Sequence, residues 1–205
     1  RHRGYIVSTG KIGGNPISAC STGIGAPSTG IAIEEMARSG CKAFIRVGSM
    51  GAIQPEIRCG DLVIASAAVR MEGCSKQYVR TEYPASADMM VTLALMEAAQ
   101  SMGVRYHVGY VASTDSFYCG QARRGYAGYW QSWMEDIIPD LQRARVLGFE
   151  MESSLIFVLC SLYGLRAGSV LAVFGNRITG EASARALRGE RDCARVACEA
   201  TKILY

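Results

Sequence analysis

Arg46 sits in an otherwise apolar run, residues 43 to 47, that ends at Gly48-Ser49-Met50-Gly51. A guanidinium among apolar neighbours needs an anionic partner, because an unpaired buried charge is costly. The glycines let main-chain N–H groups approach an anion, and Ser49 adds a hydroxyl donor. An anion site fits this pattern, and so does a strand-end turn with a structural arginine–carboxylate pair. The glycine spacing matches no dinucleotide fingerprint, and no phosphate-loop lysine follows it.

A second segment, Ser113-Thr114-Asp115-Ser116-Phe117-Tyr118-Cys119-Gly120-Gln121-Ala122-Arg123, joins an aromatic pair to Gln121 and Arg123. Glutamine donates and accepts at once, which suits the N–H/C=O edge of a pyrimidine, and arginine can add donors to a carbonyl. Phe117 can pack on a base or sugar face; the plainer reading makes it a core aromatic beside a solvated turn. In Phe149-Glu150-Met151-Glu152-Ser153-Ser154 a carboxylate meets the start of an apolar helix. Glu150 or Glu152 could simply cap that helix. Alternatively, a carboxylate there accepts hydrogen bonds from two vicinal sugar hydroxyls and places negative charge near an oxocarbenium ion. Paired glutamates also suggest glycosidase chemistry, but residues so close in sequence cannot easily flank one bond from opposite sides. Val173-Phe174-Gly175-Asn176-Arg177 delivers Asn176 and Arg177 from a strand end.

These segments need a scaffold of alternating strands and helices. Residues 5–8 and 16–21 read as strands around a glycine-rich turn. Pro27 opens a helix that Gly40 ends, with Ile31 and Met36 on its apolar side. Strands follow at 43–47, 61–66, 110–113 and 167–174, and helices at 89–102, 152–163 and 191–204. This alternation argues for an α/β domain with a largely parallel sheet, whose ligands bind at the carboxyl ends of the strands.

The chain has 205 residues, 49% of them hydrophobic and 20% charged, which fits one soluble globular domain. Its net charge of +4 is spread along the chain, with no patch or stripe of the kind nucleic-acid binders carry. None of its eight cysteines forms a C-x-x-C pair and there are only two histidines, which argues against zinc. Cysteines inside apolar runs, such as Cys160, point to a reduced, intracellular, cytoplasmic protein. The most apolar stretch, residues 155–174, is broken by Gly164, Arg166 and Gly168, so no membrane span or partner membrane is expected. The chain starts at Arg1 without a methionine, and a further N-terminal segment is expected.

The runs Cys20-Ser21-Thr22-Gly23-Ile24-Gly25, Gly51-Ala52-Ile53-Gln54-Pro55, Phe117-Tyr118-x-Gly-Gln121-x-Arg123 and Glu150-Met151-Glu152-Ser153 occur together and in one order. That order resembles the nucleoside phosphorylase superfamily, most closely its pyrimidine branch, over nearly the whole chain. The resemblance implies a single-domain three-layer α/β/α fold with a central mixed, partly barrel-like sheet. It also implies active sites shared between the subunits of a homodimer or higher homo-oligomer. Arg46, Ser49 and the Gly51 backbone would bind phosphate, with Arg3 reaching in from the neighbouring subunit. Glu150, Met151, Glu152 and Ser49 would hold the ribose, and Phe117, Gln121, Arg123 and Arg177 the base. Arg46, Glu152 and Arg123 would carry catalysis: phosphate attacks the anomeric carbon of uridine, releasing uracil and ribose 1-phosphate. No metal and no cofactor is expected, phosphate being a co-substrate. Purine-cleaving relatives place an aspartate near Asn176-Arg177, so its absence beside the Gln121/Arg123 pair favours pyrimidines. A phosphorylase of broader or purine specificity, or a weakly active nucleoside-binding homologue, is the alternative. The family's N-terminal phosphate loop is not in this chain. Met50 replaces a threonine, Gly4 stands where some members carry a cation-binding glutamate, and the loop from Arg177 to Arg191 is short.

Overall fold

Short apolar runs set between glycines give the chain its strands. The computed structural model describes residues 4–205, so Arg3 lies outside the described residues. The two expected N-terminal strands are β1 (Ile6–Ile12) and β2 (Asn15–Ser21), an antiparallel hairpin that turns at Gly13-Gly14. Helix α1 (Ala26–Arg38) follows with Pro27 in its first turn, where the missing N–H costs nothing.

Five strands then close into a barrel: β3 (Ala43–Ala52), β4 (Leu62–Met71), β5 (Tyr106–Thr114), β6 (Val146–Glu150) and β7 (Arg166–Asn176), in the order β3-β6-β5-β4-β7. The pairs β3–β7, β4–β5 and β5–β6 are parallel, while β3–β6 and β4–β7 are antiparallel. The sheet is therefore mixed and barrel-like, as the family resemblance implied, and less uniformly parallel than the strand–helix alternation alone suggested.

Strand alternation sorts the core into two sides. Val63, Ala65, Leu171 and Val173 pack with α1 and α4 (Ser153–Leu162). Leu62, Ile64, Val170 and Ala172 face the other way, against α2 (Met89–Ser101) and α5 (Arg185–Leu204). This is the three-layer arrangement. Helix α2 starts on Asp88, whose carboxylate accepts the Val91 N–H at 2.9 Å. Helix α4 is buried almost all round, consistent with its apolar run from Leu155 to Cys160.

Several elements differ from the sequence reading. Strand β3 continues past Gly48 to Ala52, because β7 pairs with it along its whole length through a bulge at Met50/Gly51. Strand β6 and the short helix α3 (Ile137–Arg143) were not anticipated. Helix α5 begins at Arg185 rather than Arg191, so the connection after Arg177 is shorter still.

Candidate active site

The carboxyl ends of β3, β6 and β7 and the loop after β5 open into one cavity of about 820 Å³. Arg46, Ser49, Gly51, Phe117, Gln121, Arg123, Met151, Glu152 and Arg177 all line it, together with Cys20 to Ile24 at the end of the hairpin. The sheet thus gathers segments more than a hundred residues apart onto one surface.

Arg46 finds the anionic partners its apolar strand required. Its Nε donates to Glu150 Oε2 at 2.9 Å, and its Nη2 lies 2.5 Å from Glu152 Oε2. The guanidinium folds back along its own strand over Gly48. A Cβ at that glycine would stand 2.6 Å from Arg46 Nη1, so glycine lets the guanidinium keep this position. Two of the five guanidinium N–H donors are used by the carboxylates, and the remainder can meet a phosphate.

The two glutamates divide their roles. Glu150 takes up the first N–H groups of α4, accepting from Glu152 N at 2.9 Å and Ser153 N at 2.8 Å, so the capping reading belongs to it. Its side chain has 0% exposure. Glu152 reaches the cavity, with Oε1 accepting the Gly25 N–H at 2.6 Å. Burial pushes the Glu152 carboxyl up, and Arg46 and the Gly25 N–H partly offset that. Gly25 carries no signal of this contact in the sequence beyond its place at a helix start, where N–H groups lack intrahelical acceptors.

On the same cavity wall, Gln121 is buried and donates from Nε2 to Thr114 Oγ1 at 3.0 Å. Arg123 Nη1 donates to Gln121 Oε1 at 2.6 Å, and its guanidinium lies 4.1 Å from the Phe117 ring centroid. Burial, reinforced by the Arg177 cation, lowers the Arg123 pKa to about 10, still protonated at neutral pH. Arg177 donates to the Gln121 and Ala122 carbonyls at 2.8 and 3.0 Å, fastening the loop that carries the base-facing residues. Among the described residues neither Arg123 nor Arg177 forms an ion pair. Two uncompensated cations beside a glutamine amide suit a group that becomes an anion.

The remaining expected residues take the following places. Gly51 lies under Arg123 and Arg177, 3.7 Å from the Arg123 Nη2 to the position of a Cβ, at the opposite end of the strand segment from Arg46. Met50 lines the cavity while packing into the core, so an apolar side chain stands there in place of a hydroxyl. Asn176 is a structural staple: Nδ2 donates to the Gln54 and Ile57 carbonyls at 2.8 and 2.7 Å, and Oδ1 accepts from Ile178 N and Thr179 N. Met151 is half-buried on the cavity wall, and Ser49 is exposed there. Among the described residues no cluster of His, Cys, Asp and Glu is arranged to hold a metal ion.

Comparison with known proteins supplies the family. A model described as "Phosphorylase superfamily" matches residues 1–204. A uridine phosphorylase of Thermococcus kodakarensis is 61% identical over 203 residues, 99% of this chain and 72% of that protein. A uridine phosphorylase of Escherichia coli is 44% identical over 86% of this chain and 70% of its own length. A guanosine phosphorylase of Halorubrum lacusprofundi is 36% identical over 88% of this chain and 69% of its own. With a matching model over all but the last residue, and a cavity that pairs an anion-ready arginine with a buried carboxylate, this chain belongs to the phosphorylase superfamily.

Proposed function

We propose that this protein is a pentosyltransferase that cleaves uridine with phosphate, giving uracil and ribose 1-phosphate. One observation carries the reading: the Arg46–Glu152 pair and two arginines that form no ion pair among the described residues, Arg123 and Arg177, line a single cavity. Phosphate meets Arg46 and Ser49, with Arg3 of a neighbouring subunit completing the site. Glu152 accepts the ribose hydroxyls while Met151 packs against the sugar. Glu150 acts from beneath rather than as a ribose ligand.

Binding aligns the phosphate oxygen with the anomeric carbon, which removes most of the entropic cost of a bimolecular encounter. As the glycosidic bond lengthens, phosphate and Glu152 stabilise the cationic sugar. Arg123 and Gln121 receive the charge that accumulates on the departing uracil, and Phe117 holds its face. Gln121 and Arg177 fix the loop around the base. No cofactor beyond the phosphate co-substrate enters, and the working unit is a cytoplasmic homodimer or higher homo-oligomer.

The Asn176 amide favours pyrimidine over purine. All of its hydrogen-bonding capacity serves the turn, so it has no proton to offer a purine nitrogen. Ultraviolet assays of uridine, thymidine and inosine, each with and without phosphate, test the reading. Phosphate-dependent loss of uridine ahead of inosine is expected. Inosine as the better substrate would overturn the pyrimidine assignment, and cleavage without phosphate would make the protein a nucleosidase.

A further inference from the structure

Glu150 belongs to the Glu-Met-Glu run, yet its carboxylate is taken up entirely by protein groups. Oε2 accepts from Arg46 Nε at 2.9 Å, Glu152 N at 2.9 Å, Ser153 N at 2.8 Å and Ser153 Oγ at 3.0 Å. Oε1 accepts from Ser113 Oγ, which in turn accepts the Ser154 N–H at 2.9 Å. The exposure gradient across the cluster runs from 13% for the Arg46 side chain through 5% for Glu152 to 0% for Glu150. Glu150 borders the cavity, but its side chain has no exposed surface, so an entering substrate meets Arg46 and Glu152 first.

These contacts come from four separate elements. Arg46 belongs to β3, Ser113 to β5, Glu150 to β6, and Ser153 and Ser154 to the first turn of α4. We infer that Glu150 is a positioning residue, with Ser113 as its anchor, which locks the phosphate-binding arginine and the ribose-binding Glu152 into one rigid unit. This assignment rests on the functional reading above. The arrangement has a chemical purpose. Phosphate attack requires the anion and the sugar to keep one separation and angle, and misplacement on the order of 1 Å costs heavily. Arg46 and Glu152 hang from different parts of the barrel. Glu150 holds the side chain of the one and the main chain of the other through the same oxygen atom.

The consequence separates positioning from contact. If Glu150 touched only a ribose hydroxyl, its removal would leave the dependence on phosphate untouched. A positioning role that also holds Arg46 predicts that the dependence on phosphate changes with it. Glu150→Gln keeps the shape: its carbonyl can face Arg46 and α4, and its amide can donate to Ser113 Oγ.

The test is steady-state kinetics of Glu150→Gln, Ser113→Ala and wild type on uridine across a range of phosphate concentrations, with thermal unfolding of each variant. Wild-type turnover of uridine first settles the functional reading on its own. For Glu150→Gln, kcat should drop roughly 10- to 100-fold, the range for loss of a group that orients a substrate-contacting residue. KM for phosphate should rise at least about threefold in the same variant, because Arg46 loses its fixed place. Ser113→Ala should give smaller changes in the same direction, and it carries the test alone if Glu150→Gln does not fold. A phosphate KM unchanged from wild type in a folded variant would show that Glu150 does not hold Arg46 and overturn the inference. Wild-type kcat in a folded variant would overturn it equally.

Discussion

Gly48→Ala is a perturbation whose consequences follow from geometry. Gly48 lies in β3 without a left-handed backbone angle, so alanine is allowed by the main chain and the only obstacle is Arg46. The added Cβ would stand 2.6 Å from Nη1, 2.7 Å from Cζ and 2.9 Å from Nη2 of that residue. Ordinary contact needs about 3.5 Å, so the guanidinium must retreat by roughly 0.9 Å. Its bonds of 2.9 Å to Glu150 and 2.5 Å to Glu152 cannot both survive that shift. Displacement of a reacting group by about 1 Å is worth a factor on the order of 100, or about 2.7 kcal/mol of transition-state stabilisation. The cost to folding should stay within about 1 kcal/mol, because the tip of a long side chain can move without repacking the core. Initial rates against phosphate concentration, with thermal unfolding of the same samples, measure both quantities. We expect kcat/KM for phosphate to fall about 100-fold with the melting temperature nearly unchanged. In a Gly48→Ala/Arg46→Ala double variant the two losses should not add, since both act through one guanidinium. Unchanged phosphate kinetics in Gly48→Ala would refute the placement of Arg46 in the phosphate site.

Other substitutions probe the remaining parts of the cavity. Gln121→Ala should reduce kcat/KM for uridine by about 10- to 100-fold, since it removes both the pyrimidine-facing amide and the acceptor that orients Arg123. A wild-type value in steady-state assays would remove it from the base site. Glu152→Gln should cut kcat strongly, and the wild-type profile of kcat/KM against pH should carry an acid limb that lies above the ordinary glutamate range. Burial raises that pKa, and the carboxylate is the active form, so activity falls as pH drops through it. The stability contribution of the same group runs the other way, being present below its unfolded pKa and lost as pH rises through the folded one. Asn176→Asp should destabilise the fold by about 2–4 kcal/mol in chemical denaturation, because two carbonyls would lose their donor and face a carboxylate. A change under 0.5 kcal/mol, the scale of a neutral surface substitution at about ±0.5, would contradict its role as a staple.

Arg46 was the most legible residue in the sequence. A cation in an apolar strand demands a carboxylate, although only the fold could say that it takes two. Gln121 and Arg123 could be read as a donor–acceptor pair, but their coupling through a 2.6 Å hydrogen bond depends on the left-handed turn at Ala122. The division between Glu150 and Glu152 was hidden, because residues two apart at a strand–helix junction can face either way. Asn176 looked like part of a loop. Its partners Gln54 and Ile57 lie more than a hundred residues earlier, beyond any local pattern. Long apolar runs such as α4 and β7 declared themselves. Strand β6 did not, because five residues beginning just after a polar turn have no distinctive period. The early start of α5 was masked by Gly189, which reads as a helix breaker. In the fold it lies against Gly60, where a Cβ would come within 3.0 Å of the Gly60 backbone.

The central claim is that phosphate is the nucleophile for uridine cleavage in the cavity built around Arg46 and Glu152. Its most direct test measures uridine consumed and ribose 1-phosphate formed, in the same reaction, across a range of phosphate concentrations that includes none. The account predicts equal amounts of uracil and ribose 1-phosphate, a rate that saturates with phosphate, and no turnover in its absence. Uracil released with free ribose at a rate independent of phosphate, or no uracil at any concentration, would contradict it.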